Sequence, residues 1–194
     1  MLRGMVFVDH MNFNIALTNL YKSQGHLTPR LDYNKLFRAI VRKMDGVDFL
    51  KAYLFVPKPD DFLMQDANLK SYYDWVSGMS NAPFTDVIDG RYVSRSVEGQ
   101  IKDINNPATY YKVEKGTDIN LAIHALSKAF FNSYDVGFFV SADTDYINVY
   151  EMLKRIGKIV VQVSVQGQNV AKIRSHVDRQ LVLDDSLFQH CLRG

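Results

Sequence analysis

Asp135-Val-Gly-Phe-Phe-Val-Ser-Ala-Asp-Thr-Asp-Tyr146 carries an uncharged run from Val136 to Ser141 that stops abruptly in two carboxylates one residue apart. Two Val and two Phe with no polar residue between them fit a strand covered on both faces of a sheet. The helical pattern of Tyr146 to Ile156 follows at once. A strand end that feeds a helix is where open α/β sheets bind ligands. Asp143 and Asp145, placed there, resist being ionised together unless a cation holds them, so a divalent metal is the first expectation.

Outward from this stretch, Met5 to Val8 reads as a second buried strand, and it ends on Asp9. A helical spacing of Ile15, Leu17, Leu20 and Tyr21 follows it. Asp9 therefore occupies the place in the first strand that Asp143 occupies in the central one, with no capping need visible in the sequence. Asp32 caps a second helix with the stripe Leu36, Phe37, Ile40 and Val41. Phe49 to Val56 reads as a strand stopped by Pro57-Lys-Pro59. Asp60-Asp61 opens a helix through Leu69, Tyr72, Tyr73 and Trp75, and Thr85 to Ser94 alternates as a strand. Val97 to Tyr111, with Gly99 and Asn105-Asn106-Pro107, reads as a loop with room for an edge hairpin.

Lys115-Gly-Thr-Asp118 begins a well-buried helix over Ile119 to Phe131, and Gly157 stops the helix of Ile147 to Ile156. Lys158 to Val165 is a further strand, and Asn169 to His176 one or two helical turns. Gln180 to Leu183 is a short last strand, and Asp185 to Leu192 a closing turn or helix. This alternation predicts a mostly parallel sheet with helices on both faces.

With 194 residues, 47% of them hydrophobic, the chain suits one domain over 1–194. The single Cys191 excludes an internal disulfide framework and fits a reducing compartment. Neither a secretory leader nor an apolar run of membrane-spanning length is visible, so a cytoplasmic protein without a membrane partner is expected. A net charge of +2, from 23 basic and 21 acidic residues, is not the surplus of a protein that coats nucleic acid. It leaves room for a nucleic-acid partner at a site where acids are offset by local Lys and Arg.

Four aspartates now hold corresponding positions: Asp9 and Asp143 end strands, while Asp118 and Asp145 start helices. If the first and central strands are neighbours, all converge on one crevice. Carboxylates suit Mg²⁺ or Mn²⁺, and one or two such ions can polarise a phosphodiester and generate the attacking hydroxide. Asp9, Asp118 and Asp143 are the expected metal ligands, with Asp145 completing the site or orienting water. Competing motifs fail: there is no P-loop and no G-x-G-x-x-G after a strand. The single Cys and the scattered His10, His26, His124, His176 and His190 show no zinc spacing.

The motifs Val6-Phe-Val-Asp9-x-x-Asn12-Phe13, Lys115-Gly-x-Asp118-Ile-x-Leu121-Ala122 and Phe139-Val-Ser141-x-Asp143-x-Asp145-Tyr146, followed by Leu153-x-x-x-Gly157-Lys-x-Val160, resemble those of the LabA-like NYN domains. These are PIN-like, metal-dependent nucleases. The resemblance implies a PIN-like three-layer α/β/α sandwich around a central, mostly parallel five- or six-stranded sheet, with 166–194 a short extension packed on it. It implies Mg²⁺- or Mn²⁺-dependent hydrolysis of RNA, in endoribonuclease fashion, with Asp9, Asp118, Asp143 and Asp145 in the acidic positions. Asn12 would orient the first carboxylate or bind phosphate, and Ser141 and Thr144 would support the loop.

Three features depart from the family pattern: the bulky His10-Met11 after the first Asp, Ala142 in place of a Gly, and His124 where many members carry an Asp. His124 shares a helical stripe with Asn120 and Lys128, which reads as a solvated face. Lys115 is the best phosphate contact, with Arg91, Arg95 and Lys58 behind it, and Tyr72-Tyr73 and Tyr110-Tyr111 offer stacking surfaces. An RNA-binding protein with weak or no activity, and a DNA nuclease or phosphatase using the same acids, stand as alternatives. A homodimer is left open.

Overall fold

The computed structural model describes residues 1–193, and its centre is a single sheet of seven strands, where the sequence led to an expectation of five or six. The strands are β1 (Leu2–Asp9), β2 (Val47–Pro59), β3 (Thr85–Ser96), β4 (Tyr110–Lys115), β5 (Val136–Val140), β6 (Ile159–Val165) and β7 (Arg179–Leu183). Their order is β4-β3-β2-β1-β5-β6-β7, parallel except for the antiparallel β3–β4 pair. The winding reverses between β1 and β5. Phe7 lies beside Phe139, and Val8 beside Val140, so Asp9 and the 141–145 turn emerge together at one rim, the crevice expected of a doubly wound sheet.

All five residues of β5 are buried because helices cover both faces. On one side Val6, Val8, Leu54, Val56, Phe138 and Val140 pack with apolar residues of α1 (His10–Ser23), α2 (Tyr33–Arg42), α3 (Ala67–Ser77) and α6 (Asp185–His190). On the other, Phe7, Tyr53, Phe55 and Phe139 pack with α4 (Thr117–Phe130) and α5 (Ile147–Arg155). The period of two along each strand sends alternate side chains into two separate cores. That is why the strands read as continuous apolar runs. Burying each Phe ring contributes about 2–3 kcal/mol.

Two segments differ from the sequence-based expectation. The pair Pro57 and Pro59 does not stop β2, which continues to Pro59. Asp60 donates its N–H to the Tyr92 carbonyl of β3, so residues of the opposite parity present their missing N–H groups to the side where β1 has already ended at Asp9, paired with Phe55. A proline on the open side of a strand removes no ladder bond. The loop reading of 97–111 gives way at its end to β4, which pairs with β3 from Arg91–Lys115 to Ser96–Tyr110. The helix expected from Asp60-Asp61 begins instead at Ala67, capped by Asp66. Asp60 accepts from Ser94 N and Oγ (2.6 and 2.8 Å) and Leu63 N (2.9 Å), tying that turn to β3.

Candidate active site

Asp9 ends β1 and is the N-cap of α1, accepting from the Asn12 N–H at 3.1 Å. It thus has a capping role that its sequence context did not reveal. Its second oxygen accepts from the Ser141 hydroxyl at 3.3 Å, and the same Oγ accepts from the Asp143 N–H at 3.1 Å. One hydroxyl therefore joins the ends of β1 and β5. Asp143 caps the turn 144–146 through the Asp145 N–H at 2.9 Å. Asp145 and Thr144 are exposed on that turn.

Asp118 comes from the far side of the sheet, in the first turn of α4. Gly116 precedes that helix in the left-handed region at φ 84°, which glycine adopts without penalty. At Gly90 of β3 a Cβ would lie 2.1 Å from Thr117 Oγ1, so only glycine lets the start of α4 approach so closely. Asp118 accepts from the Tyr146 hydroxyl at 2.7 Å, which ties α4 to the 141–146 turn.

The electrostatics mark the cluster. Asp9 is only 6% exposed, and its carboxyl is pushed up to about 6, first by burial and then by the negative charges of Asp118 and Glu114, against the hydrogen bonds from Asn12 and Ser141. Glu114, at the end of β4, is pushed up by burial of its carboxyl and by Asp118. It is a fifth acid near this rim, in a stretch that showed no strand pattern in the sequence. The Tyr146 and Tyr150 hydroxyls are pushed well up, by burial first and also by Asp9. Tyr150 is fully buried, and its hydroxyl has no hydrogen-bond partner among the described residues.

Asn12 orients Asp9 through its backbone. Its side-chain oxygen instead accepts from the Ala142 N–H (3.1 Å) and Gln168 Nε2 (2.9 Å), pinning the loops after β5 and β6. Gln162, fully buried on β6, donates to the Ser141 carbonyl at 2.9 Å. Neither glutamine stood out in the sequence, because a single polar residue in or after an apolar strand has no spacing signature.

The family departures resolve physically. His10 turns away from the acids and is fully buried, bonded to the Tyr72 hydroxyl at Nδ1 (2.7 Å) and the Tyr33 hydroxyl at Nε2 (2.9 Å). Burial holds it down to about 3, so it is neutral and structural and does not narrow the crevice. His124 is not on a solvated face. Its ring packs on Tyr53 and Phe55 (centroids 6.0 and 5.6 Å), and burial followed by Lys128 lowers its basicity.

Beyond the acids, strand register sets Lys58, Arg91 and Lys115 abreast on β2, β3 and β4. Directly paired residues leave the same face of a sheet, so three exposed cations form a row there. Arg95 follows on that face of β3, opposite Tyr111.

As to a metal, the donors are hard oxygens, and the Asp9 carboxyl, raised first by burial, also feels the negative charges of Asp118 and Glu114. No group of three His, Cys, Asp or Glu side chains among the described residues lies close enough to hold one ion. Mg²⁺ is commonly held by only one or two carboxylates, with waters and substrate phosphate completing its octahedron, and Asp9 with Asp118 fits that smaller set. No helix among the described residues is long and apolar enough to cross a membrane.

This doubly wound α/β fold with acids at the winding reversal has counterparts among known families. The NYN domain family matches residues 3–184, so the chain belongs to the NYN family, part of the PIN-like nuclease superfamily. Among solved structures, the chain is similar to a protein of unknown function from Vibrio parahaemolyticus RIMD 2210633, with TM-score 0.62 and 16% identity over 99% of this chain and 96% of that one. That likeness shows the fold alone. No curated protein matches the chain.

Proposed function

We propose that the protein is a Mg²⁺- or Mn²⁺-dependent endoribonuclease whose centre is formed by Asp9, Asp118 and Asp143, with Asp145 beside them. The observation that carries this reading is Asp9: a carboxylate buried at the sheet rim, fixed by Asn12 and Ser141 and crowded by Asp118 and Glu114. Unrelieved like charges in a crevice are characteristic of a site built for a cation.

A bound ion would supply Lewis acidity and an activated water. Asp9 and Asp118 would hold it, and Asp143, fixed through its N–H by Ser141, would receive or orient the attacking water. The Tyr146 hydroxyl keeps Asp118 facing the turn. Lys58, Arg91 and Lys115, with Arg95 further along, would carry the phosphates of the strand away from the acids. The preference for RNA rests on family membership and this row of cations.

The test is incubation of the protein with single-stranded and structured RNA, DNA and small phosphoesters in Mn²⁺, Mg²⁺ or EDTA, beside Asp143→Ala. Cleavage of RNA that needs metal and Asp143 supports the proposal, and unchanged cleavage by the variant contradicts it. One observation favours a second reading, a binding protein with weak activity: among the described residues no three acids lie close enough to hold one ion. RNA binding without cleavage, indifferent to metal, would decide for it.

A further inference from the structure

A cleft of about 490 Å³ opens on the side of the sheet away from α4, between α1, the 28–31 segment and α3. Its walls are aromatic: the Tyr33 and Tyr72 rings and the indole of Trp75. Trp75 is the single tryptophan of the chain and is 41% exposed. Its ring stands 5.9 Å from Tyr72 and 6.0 Å from Tyr33, centroid to centroid. Two arginines line the same cleft, Arg30 and Arg193. They are brought together by the Leu31–Leu192 bridge and by the Arg193 N–H donating to the Arg30 carbonyl at 2.9 Å. Neither forms an ion pair among the described residues, and Asn14 of α1 adds an amide to the rim.

Aromatic faces with flanking arginines suit a base and its phosphate, because every base offers a π-face and every nucleotide a charge. An aliphatic peptide would leave the guanidiniums unmatched. Through Tyr72 the cleft reaches the residues that follow Asp9. Tyr72 donates to Met11 Sδ (3.5 Å) beside His10, and after burial and Tyr92 the charges of Asp9 and Glu114 are what push its hydroxyl up. Along α1, Asn14 lies five residues past Asp9, about 7.5 Å of helix axis, or about two stacked nucleotides.

We infer that this cleft is a base-binding subsite for single-stranded RNA: it takes one unpaired nucleotide near the scissile phosphate, the base against Trp75 and Tyr72 and its phosphate on Arg30 and Arg193. The inference deepens the proposed nuclease reading and rests on it only for what happens to the strand after it is bound. It makes the enzyme selective for unpaired RNA at a position set by the cleft rather than by the acids.

Fluorescence of Trp75 tests it directly, since no other indole contributes. The 194-residue protein in EDTA is titrated with a short single-stranded RNA, with a strand of equal length and charge that is abasic at every position, with a duplex and with a nucleoside monophosphate. The single strand is expected to quench Trp75 and to bind about 5- to 150-fold more tightly than the abasic strand, the range that stacking of one base supplies. Arg30→Ala, at an exposed position, should weaken binding while its circular dichroism stays that of the parent. Equal binding of the abasic strand, equal quenching by the duplex, or a monophosphate as tight as the strand would overturn the subsite, as would an unweakened Arg30→Ala. A cleavage assay of the parent protein on the same single strand in Mn²⁺ separates the two ideas. Quenching without cleavage in the parent protein sinks the nuclease reading and leaves the cleft standing, whereas metal-dependent cleavage without quenching does the reverse.

Discussion

Replacing Asp9 by Asn tests the charge crowding at the rim. Burial, with Asp118 and Glu114 nearby, pushes the carboxyl from 3.8 up to about 6 in the folded chain. At 1.36 kcal/mol per pKa unit, holding it ionised costs the fold about 3 kcal/mol well above pH 6. Because the folded value is the raised one, the unfolded chain ionises first. The contribution is favourable below the unfolded value near 3.8 and is lost as pH rises through about 6. Asn is equally good at an N-cap and can still meet the Asn12 N–H and the Ser141 hydroxyl. In EDTA at pH 7.5, Asp9→Asn should therefore be more stable than the parent by up to about 3 kcal/mol, roughly 6–12 °C in melting temperature for a chain of this size. At pH 4.5 the gap should shrink to about 1 kcal/mol. Saturating Mn²⁺ should stabilise the parent and close the gap from the other side. Thermal and urea unfolding at the two pH values measure this. A variant no more stable than the parent at pH 7.5, with the same difference at pH 4.5, would refute the idea that Asp9 is held against electrostatic strain.

Asp143→Ala should abolish metal-dependent cleavage in a gel assay. It should lose only about 1 kcal/mol in urea unfolding, the worth of the cap it gives the 144–146 turn. His10→Ala should cost about 3–5 kcal/mol in the same assay, because it opens a hole between Tyr33 and Tyr72 and strands the buried Tyr33 hydroxyl. Arg91→Ala and Lys115→Ala should each lower the slope of log affinity against log salt for RNA by about one, read by filter binding, with melting temperature unchanged for these exposed side chains.

Much of the fold was legible because buried parallel strands announce themselves as apolar runs. Val136–Val140 and Met5–Val8 were each followed within three residues by an aspartate of the candidate site, and helix spacing supplied the layers between them. What was not legible depended on pairing. Glu114 was hidden because β4 is short and half-polar and is a strand only by virtue of its register with β3. The row Lys58–Arg91–Lys115 exists only once three strands are aligned, although its members could be named singly. His10 and His124 were ambiguous for the opposite reason. A lone histidine's spacing does not tell whether it faces solvent, a carboxylate or a set of tyrosines, and here tertiary packing chose the aromatic neighbours in both cases. Gln162 and Gln168, which brace the acidic turn and Asn12, carry no local pattern at all.

The most direct test of the central claim is an anomalous difference map from crystals soaked in Mn²⁺. A peak coordinated by Asp9 and Asp118 at about 2.0–2.2 Å, with Asp143 reached directly or through one water, is the predicted result. A map with no manganese between those carboxylates, from crystals of protein that cleaves RNA in the same Mn²⁺ buffer, would contradict it.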